Sequence, residues 1–423
     1  MNIDLSELVY DWNTLGEKPA YHPVELTDET LRDGLQSPSL IHPLIQEKVY
    51  LLYLMNDLGI QSVNTGVPAA GDAVKHDCRV LAREIALHRL AIRPQCAGRT
   101  LKQDVEAIIE VAQWAGVEVE ACLFIGSSAI RQYVEEWDLD TMLRLSEEAI
   151  RYARDNGLPV TFITEDTTRA RPETLRQLYV SAIECGASRI CLCDTVGHAT
   201  PEGVRSLVAY VRGIVEDAAQ AAGKGVEARV KLDWHGHRDR GLSIANALAA
   251  IAAGVDRVHA TALGVGERSG NVPMEILLVN LKLLGLIDWN LTVLPEYCQV
   301  VAEACGAPLP FNYPVVGVDA FRTAAGIHAA AIAKGMDKGD FWLAERVYCS
   351  IPASMVGREH SIEIGPLSGA HNVRFWLKHH GVQVPGIVED KILAAAKQAH
   401  RLLTDDEIMR IVVTMQRRLA DVA

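Results

Sequence analysis

The chain has 423 residues, 49% of them hydrophobic, enough for one large domain with an appendage or for two domains. Its 41 Lys and Arg against 54 Asp and Glu leave a formal charge of -13, a field that repels nucleic acid and anionic membrane. No run approaches the roughly 18 apolar residues of a membrane span, and the opening MNIDLSELVYDWN carries acids where a secretory signal carries bases, so a cytoplasmic protein is expected. Nine cysteines without a CxxC pair suit a reducing compartment, with Cys191 and Cys193 as small buried hydrophobes in a strand.

Residues 1–21 read as an N-terminal arm. From Val24 to about Leu284 one junction recurs: a helix-period segment, a glycine, then a short β-rich run, as in NDLGIQSVNTG, QWAGVEVEACLFIG, RDNGLPVTFITED, IECGASRICLCDT and IAAGVDRVHATALG. Gly59, Gly116, Gly157, Gly186 and Gly254 each fall where a helix ends in a left-handed residue. In DTMLRLSEEAIRYARDNG, Met142, Leu145, Ala149 and Ala153 repeat at helical spacing, and RPETLRQLYVSAIECG opens with Pro172 as first turns often do. The strands are short and nearly continuous in apolar residues, the texture of parallel strands covered by helices. Roughly eight such units predict a TIM (β/α)8 barrel over 22–287, with an open doubly wound sheet as the alternative. Beyond Asp288 the rhythm changes to proline-spaced loops and helical runs around Ala325–Lys334 and Lys391–Leu402, a helical C-terminal extension over 288–423 with no room for a further regulatory domain.

In TLRDGLQS, Arg32 and Asp33 set a cation beside a carboxylate at the end of the first strand, either a structural ion pair at a turn or part of a site. In VKLDWHGHRD the strand period places Asp233, His235 and His237 on one face, at the carboxyl end where barrel enzymes keep their chemistry. Two imidazoles about 6–7 Å apart along a strand can share one divalent cation, with Asp33 as the anionic ligand; either histidine could instead be a hydrogen-bonded structural residue. The loop ALGVGERSGNVP reads GxGxxxG, misses the dinucleotide spacing and argues against a nicotinamide site. Its glycines bring Ser269 and Asn271 close to a ligand, and Asn271 could add a carbonyl oxygen to a metal shell. Two histidines and a carboxylate also occur in non-haem iron oxygenases.

The segments TLRDGLQSP, FITEDTTRA, DTVGHATPEGV, HGHRDRGLSIANALAAIAAGVDRVHATALGVGERSGNVP and AGIHAAA resemble the 2-isopropylmalate and homocitrate synthases, metal-dependent barrels of the superfamily that includes hydroxymethylglutaryl-CoA lyase. The resemblance implies a divalent metal (Mg, Mn or Zn) on Asp33, His235, His237 and Asn271, and acetyl-CoA as co-substrate with a 2-oxo acid. It implies that Arg32 steadies the developing oxyanion, that Thr195 binds the oxo-acid carboxylate with Gln36 also in the substrate site, and that His328 is the general base. Glu165 resembles a pocket carboxylate for acid/base work, or forms a salt bridge with Arg169. Tyr348 matches a tyrosine that reaches the partner's site, which implies a homodimer. Arg131 lies where the family selects the oxo-acid side chain; it could pair with a second substrate carboxylate or be a solvated helix residue.

There are departures. Leu35 replaces the usual Glu and makes RDGLQ closer to the lyase spelling, Arg238 replaces Asn, Ala329-Ala330 replace more polar residues, and Asn64 stands where many relatives have an acid. EIGPLSGAHNV in the tail resembles the synthases, whereas the lyase lacks such an extension, and no leucine-sensing domain is expected. The expected function is a Claisen-type condensation of acetyl-CoA with a 2-oxo acid, most simply 2-isopropylmalate synthase-like. Homocitrate, citramalate or citrate formation, an acyl-CoA carbon–carbon lyase and a non-catalytic metabolite sensor remain the alternatives.

Overall fold

The computed structural model describes residues 8–14, 22–221 and 230–421. Two compact units make up the chain, one of Leu15–Pro308 and the other of Met1–Thr14 with Leu309–Ala423.

The first unit is built on eight parallel strands: β1 (Glu25–Asp28), β2 (Ser62–Asn64), β3 (Arg93–Arg99), β4 (Glu120–Gly126), β5 (Val160–Glu165), β6 (Arg189–Asp194), β7 (Lys231–Gly236) and β8 (Arg257–Ala260). They pair in chain order, and β8 returns to β1 with Leu26 opposite Val258 and Asp28 opposite Ala260, which closes a TIM barrel and excludes the open sheet. All five junction glycines take positive φ; at Gly186 the value is 110°, and the helix Pro172–Cys185 ends there by giving its terminal carbonyls to the Gly186 N–H. The helix Leu139–Asp155 starts at Asp138, whose side chain accepts from the Thr141 N–H, and buries Met142, Ala149 and Ala153 as their spacing predicts.

Strand alternation separates two environments. Ile190, Leu192, Leu232, Trp234 and Val258 are fully buried apolar residues, whereas their neighbours Arg189, Asp233, Arg257 and His259 meet across the lumen. Arg257 has no exposure and reaches both Asp233 and Glu120, so the lumen is ionic toward the amino ends of the strands, not apolar as continuous hydrophobic runs suggest.

The barrel unit extends past the expected boundary at 287 to Pro308. The helix Leu294–Ala304 belongs to it: the Tyr297 hydroxyl donates to the Asp28 carboxylate, and the Ile41 N–H donates to the Cys305 carbonyl at 2.9 Å. Of the arm expected over 1–21, residues 1–7 and 15–21 lie outside the described residues, and Trp12–Thr14 form one 3-10 turn.

The other unit is mainly helical, with helices Gly326–Asp337, Phe341–Arg346, Ala370–His379, Gly386–Gln398 and Asp405–Ala420 and a two-stranded parallel pair, Arg322–Thr323 with Ser361–Ile362. Its larger core gathers Ile364, Val373, Trp376, Val388, Ile392, Ile408 and Val412. The final helix is started by a reciprocal cap between Thr404 and Glu407. Among the described residues no helix is long and apolar enough to cross a membrane.

Candidate active site at the carboxyl end of the barrel

The turn after β1 creates the first half of the site. Glu29 continues the strand by donating its N–H to the Ala260 carbonyl at 2.8 Å, and its own carbonyl then accepts from Arg32 (3.1 Å) and Gly34 (3.0 Å). That tight reversal sets Arg32 and Asp33 at the strand end. The Arg32 Nε donates to Glu29 Oε2 at 2.7 Å, and its Nη1 lies 3.4 Å from Asp33 Oδ1.

The second half comes from β7 and the loop after β8. His235 ends the strand, and His237 forms an isolated bridge with Asn271. The two Nε2 atoms are 3.4 Å apart and lie 3.4 and 3.5 Å from Asp33 Oδ2. All three residues are buried, and among the described residues Asp33 Oδ2, His235 Nδ1, His237 Nδ1 and Asn271 Oδ1 have no hydrogen-bond partner. Three donor atoms in a triangle of this size fit a divalent cation, because ligand bonds of roughly 2.0–2.2 Å bring neighbouring ligand atoms to about this separation. Burial, then the neighbouring His235, lowers the pKa of His237 to about 4, so this imidazole is a neutral donor at neutral pH. Burial opposes ionisation of Asp33, yet Arg32 and the two imidazoles hold its carboxyl below the usual range. The residue set therefore fits a metal, with Asn271 Oδ1 as a further oxygen donor.

A cavity of about 290 Å³ opens beside this triangle. Its polar lining includes Arg32, Asp33, Gln36, Glu165, Thr195 and Glu267; its other wall is Val67, Ala97, Phe124, Ile163, Cys191 and Cys193. Thr195 Oγ1 accepts from the Asp166 N–H at 2.8 Å, which fixes the hydroxyl at the end of β6. Glu165 does not pair with Arg169, which is bound to Asp166 at 2.7 Å; its partner is Arg131, at 3.4 Å. Arg131 also meets Glu135 at 3.0 Å, so it is neither simply solvated nor unpaired. Burial raises the pKa of Glu165, with Arg131 working against the shift. His328 and Tyr348 lie in the other unit, their rings 4.0 Å apart and tilted by 30°.

Two residues of this neighbourhood are not among those the sequence singles out. His259 sits in a run that reads as an apolar strand, and only its register opposite His235 places it inside the barrel. Glu29 precedes the RDG turn; burial opposes its ionisation, but Arg32 and His259 lower its pKa to about 2. An alternation count through RVHATALG, with Arg257 and His259 in phase, is the signal that could have found the first.

Residues 23–301 match the HMGL-like family model. The chain belongs to the HMGL-like family. A homocitrate synthase of Methanopyrus kandleri is 31% identical over 392 residues, 91% of this chain and 90% of that protein. A protein assigned as a 2-isopropylmalate synthase in the same organism is 30% identical over 379 residues, 89% of this chain and 69% of its own length. In fold, the barrel resembles hydroxymethylglutaryl-CoA lyase from Pseudomonas aeruginosa, with a TM-score of 0.53 at 20% identity; that match covers 93% of the lyase chain but 67% of this one. The chain is an enzyme of the condensing acyltransferase type, like its synthase relatives.

Proposed function

We propose that the protein joins acetyl-CoA to a 2-oxo acid whose side chain is apolar, in a 2-isopropylmalate synthase-like reaction. The observation that carries this reading is the Asp33–His235–His237 triangle with Arg32 beside it, facing a cavity walled on one side by Val67, Ala97, Phe124, Ile163, Cys191 and Cys193. A divalent ion (Mg, Mn or Zn) held by Asp33, His235, His237 and Asn271 would polarise the ketone of the oxo acid. Thr195 and Gln36 bind the oxo acid, Thr195 at its carboxylate. The Arg32 guanidinium faces the oxygen on which negative charge grows as the carbon–carbon bond forms.

His328 is assigned as the base that takes the methyl proton of the thioester. A thioester α-proton is too weakly acidic for neutral imidazole alone, so hydrogen bonds or charge near the forming enolate must supply several kcal/mol. The resulting carbon attacks the ketone carbon, and water then cleaves the thioester, releasing CoA and a 2-hydroxy dicarboxylate. Tyr348 acts from the partner subunit of a homodimer. Synthesis is favoured over cleavage because the synthase relatives align with about nine-tenths of the chain, whereas the lyase match stops at 67%.

The second reading is a homocitrate-type reaction, favoured by the 31% identical relative. It would require Arg131 to leave Glu165 and Glu135 for a second substrate carboxylate. The test is release of free CoA, read with a thiol reagent, across a panel of 2-oxo acids with acetyl-CoA. Branched or short aliphatic oxo acids should be preferred, with turnover abolished by a chelator and restored by added metal. CoA release that does not depend on any oxo acid would refute the reading.

A further inference from the structure

We propose that Glu29 is a positioning residue that locks the Arg32 guanidinium at the site, with the Asn64 amide steadying its other oxygen. The use made of Arg32 rests on the function proposed above; the locking itself does not.

Glu29 is fully buried, with both oxygens engaged. Oε2 accepts from Arg32 Nε at 2.7 Å, while Oε1 lies 3.1 Å from His259 Nδ1 and accepts from the Asn64 amide at 3.3 Å. The other face of His259 meets Asp233 Oδ2 at 3.4 Å, and Asp233 is held by Arg189 and Arg257, each at 2.8 Å. Glu29 is thus the link between the ionic lumen and the catalytic rim. A buried carboxylate is expensive unless its partners are fixed, and here they come from β2, β8 and the turn after β1.

Arg32 has only a weaker second contact, Asp33 at 3.4 Å, so without Glu29 its long side chain would sample several rotamers. Glu29, His235 and His259 together could hold a metal by proximity alone. Both Glu29 oxygens already accept from protein donors, Arg32 Nε and the Asn64 amide, which favours the positioning role.

Asn64 completes the argument. Its Oδ1 accepts from the Gly66 N–H at 3.3 Å, which turns the amide nitrogen toward Glu29. An acid at 64 would set two carboxylates against each other, whereas an amide donor suits a carboxylate arriving from β1.

The test combines nitrogen-15 arginine NMR with kinetics on the metal-loaded enzyme. The Arg32 Nε–H resonance, assigned by its loss in Arg32→Lys, should be protected from exchange in the native protein and lose that protection in Glu29→Gln. In the same variant kcat should fall roughly tenfold to a hundredfold, with KM for the oxo acid and metal content nearly unchanged. If Glu29→Gln does not fold, Asn64→Ala should weaken the same resonance and lower kcat several-fold. A protected resonance in Glu29→Gln with kcat within about twofold of native, or a loss that follows the metal, would overturn the proposal. A native enzyme with no condensing activity would sink the proposed function, while the resonance would still decide the positioning.

Discussion

Arg131 stands 3.4 Å from Glu165 and 3.0 Å from Glu135, so its charge is taken up by two carboxylates of the protein. Glu165 is raised by burial, and Arg131 is the chief influence in the other direction. Removing the cation in Arg131→Ala must therefore raise Glu165 further, and more acid must be removed from solution before the carboxylate forms. The acid limb of the kcat/KM profile should move to higher pH, read by CoA release between about pH 5 and 9. An unmoved limb would mean that Glu165 does not act in its ionised form. The sequence left Arg169 as an alternative partner of Glu165. The chain instead turns after Glu165, with Asp166 in the left-handed region at φ 62°, and Arg169 closes on Asp166.

At the scale of elements, the loop from Ala262 to Asn271 is the one whose sequence is least replaceable. Gly270 has φ 97°, and a Cβ there would overlap the carbonyl oxygen of Gly264, which itself accepts from the Asn271 N–H at 3.0 Å. Gly270→Ala should cost about 1–2 kcal/mol from backbone strain alone. It should lower activity and metal affinity further, because Asn271 and the His237 bridge move with the loop. Thermal unfolding alongside a metal titration checks this; a variant with native stability and affinity would refute it. What was legible here was local: an HxH at a strand end and a glycine-dense loop are fixed by a few neighbouring residues. The Glu29–His259 pairing was not legible, since it exists only once β8 closes on β1 in one register.

Across the whole molecule, the barrel could be read because its eight repeats each carry the same glycine junction, whereas the boundary at 287 could not. The helix Leu294–Ala304 carries Pro295 in its first turn, and the Tyr297–Asp28 bond ties it to the first strand. Nor could the ionic lumen be read, because Asp233 and Arg257 pair only once β7 and β8 are in register, and Glu120 reaches Arg257 from β4 on the far side of the barrel. The lumen makes barrel stability depend on acid. Burial opposes ionisation of Glu120, yet Arg257 lowers its pKa from 4.5 to about 2. A carboxyl depressed by folding lends stability that is fully present above its unfolded value and is lost as the pH falls through the folded one. Glu120→Gln leaves Arg257 with Asp233 as its remaining carboxylate and should destabilise the protein by about 3 kcal/mol at neutral pH. That deficit should shrink by about 2 kcal/mol between pH 7 and pH 3, as the native protein loses the Glu120 contribution and the variant has none to lose. Urea unfolding of both proteins across that range measures the difference, and a deficit that stays constant would show that Glu120 is not ionised in the fold.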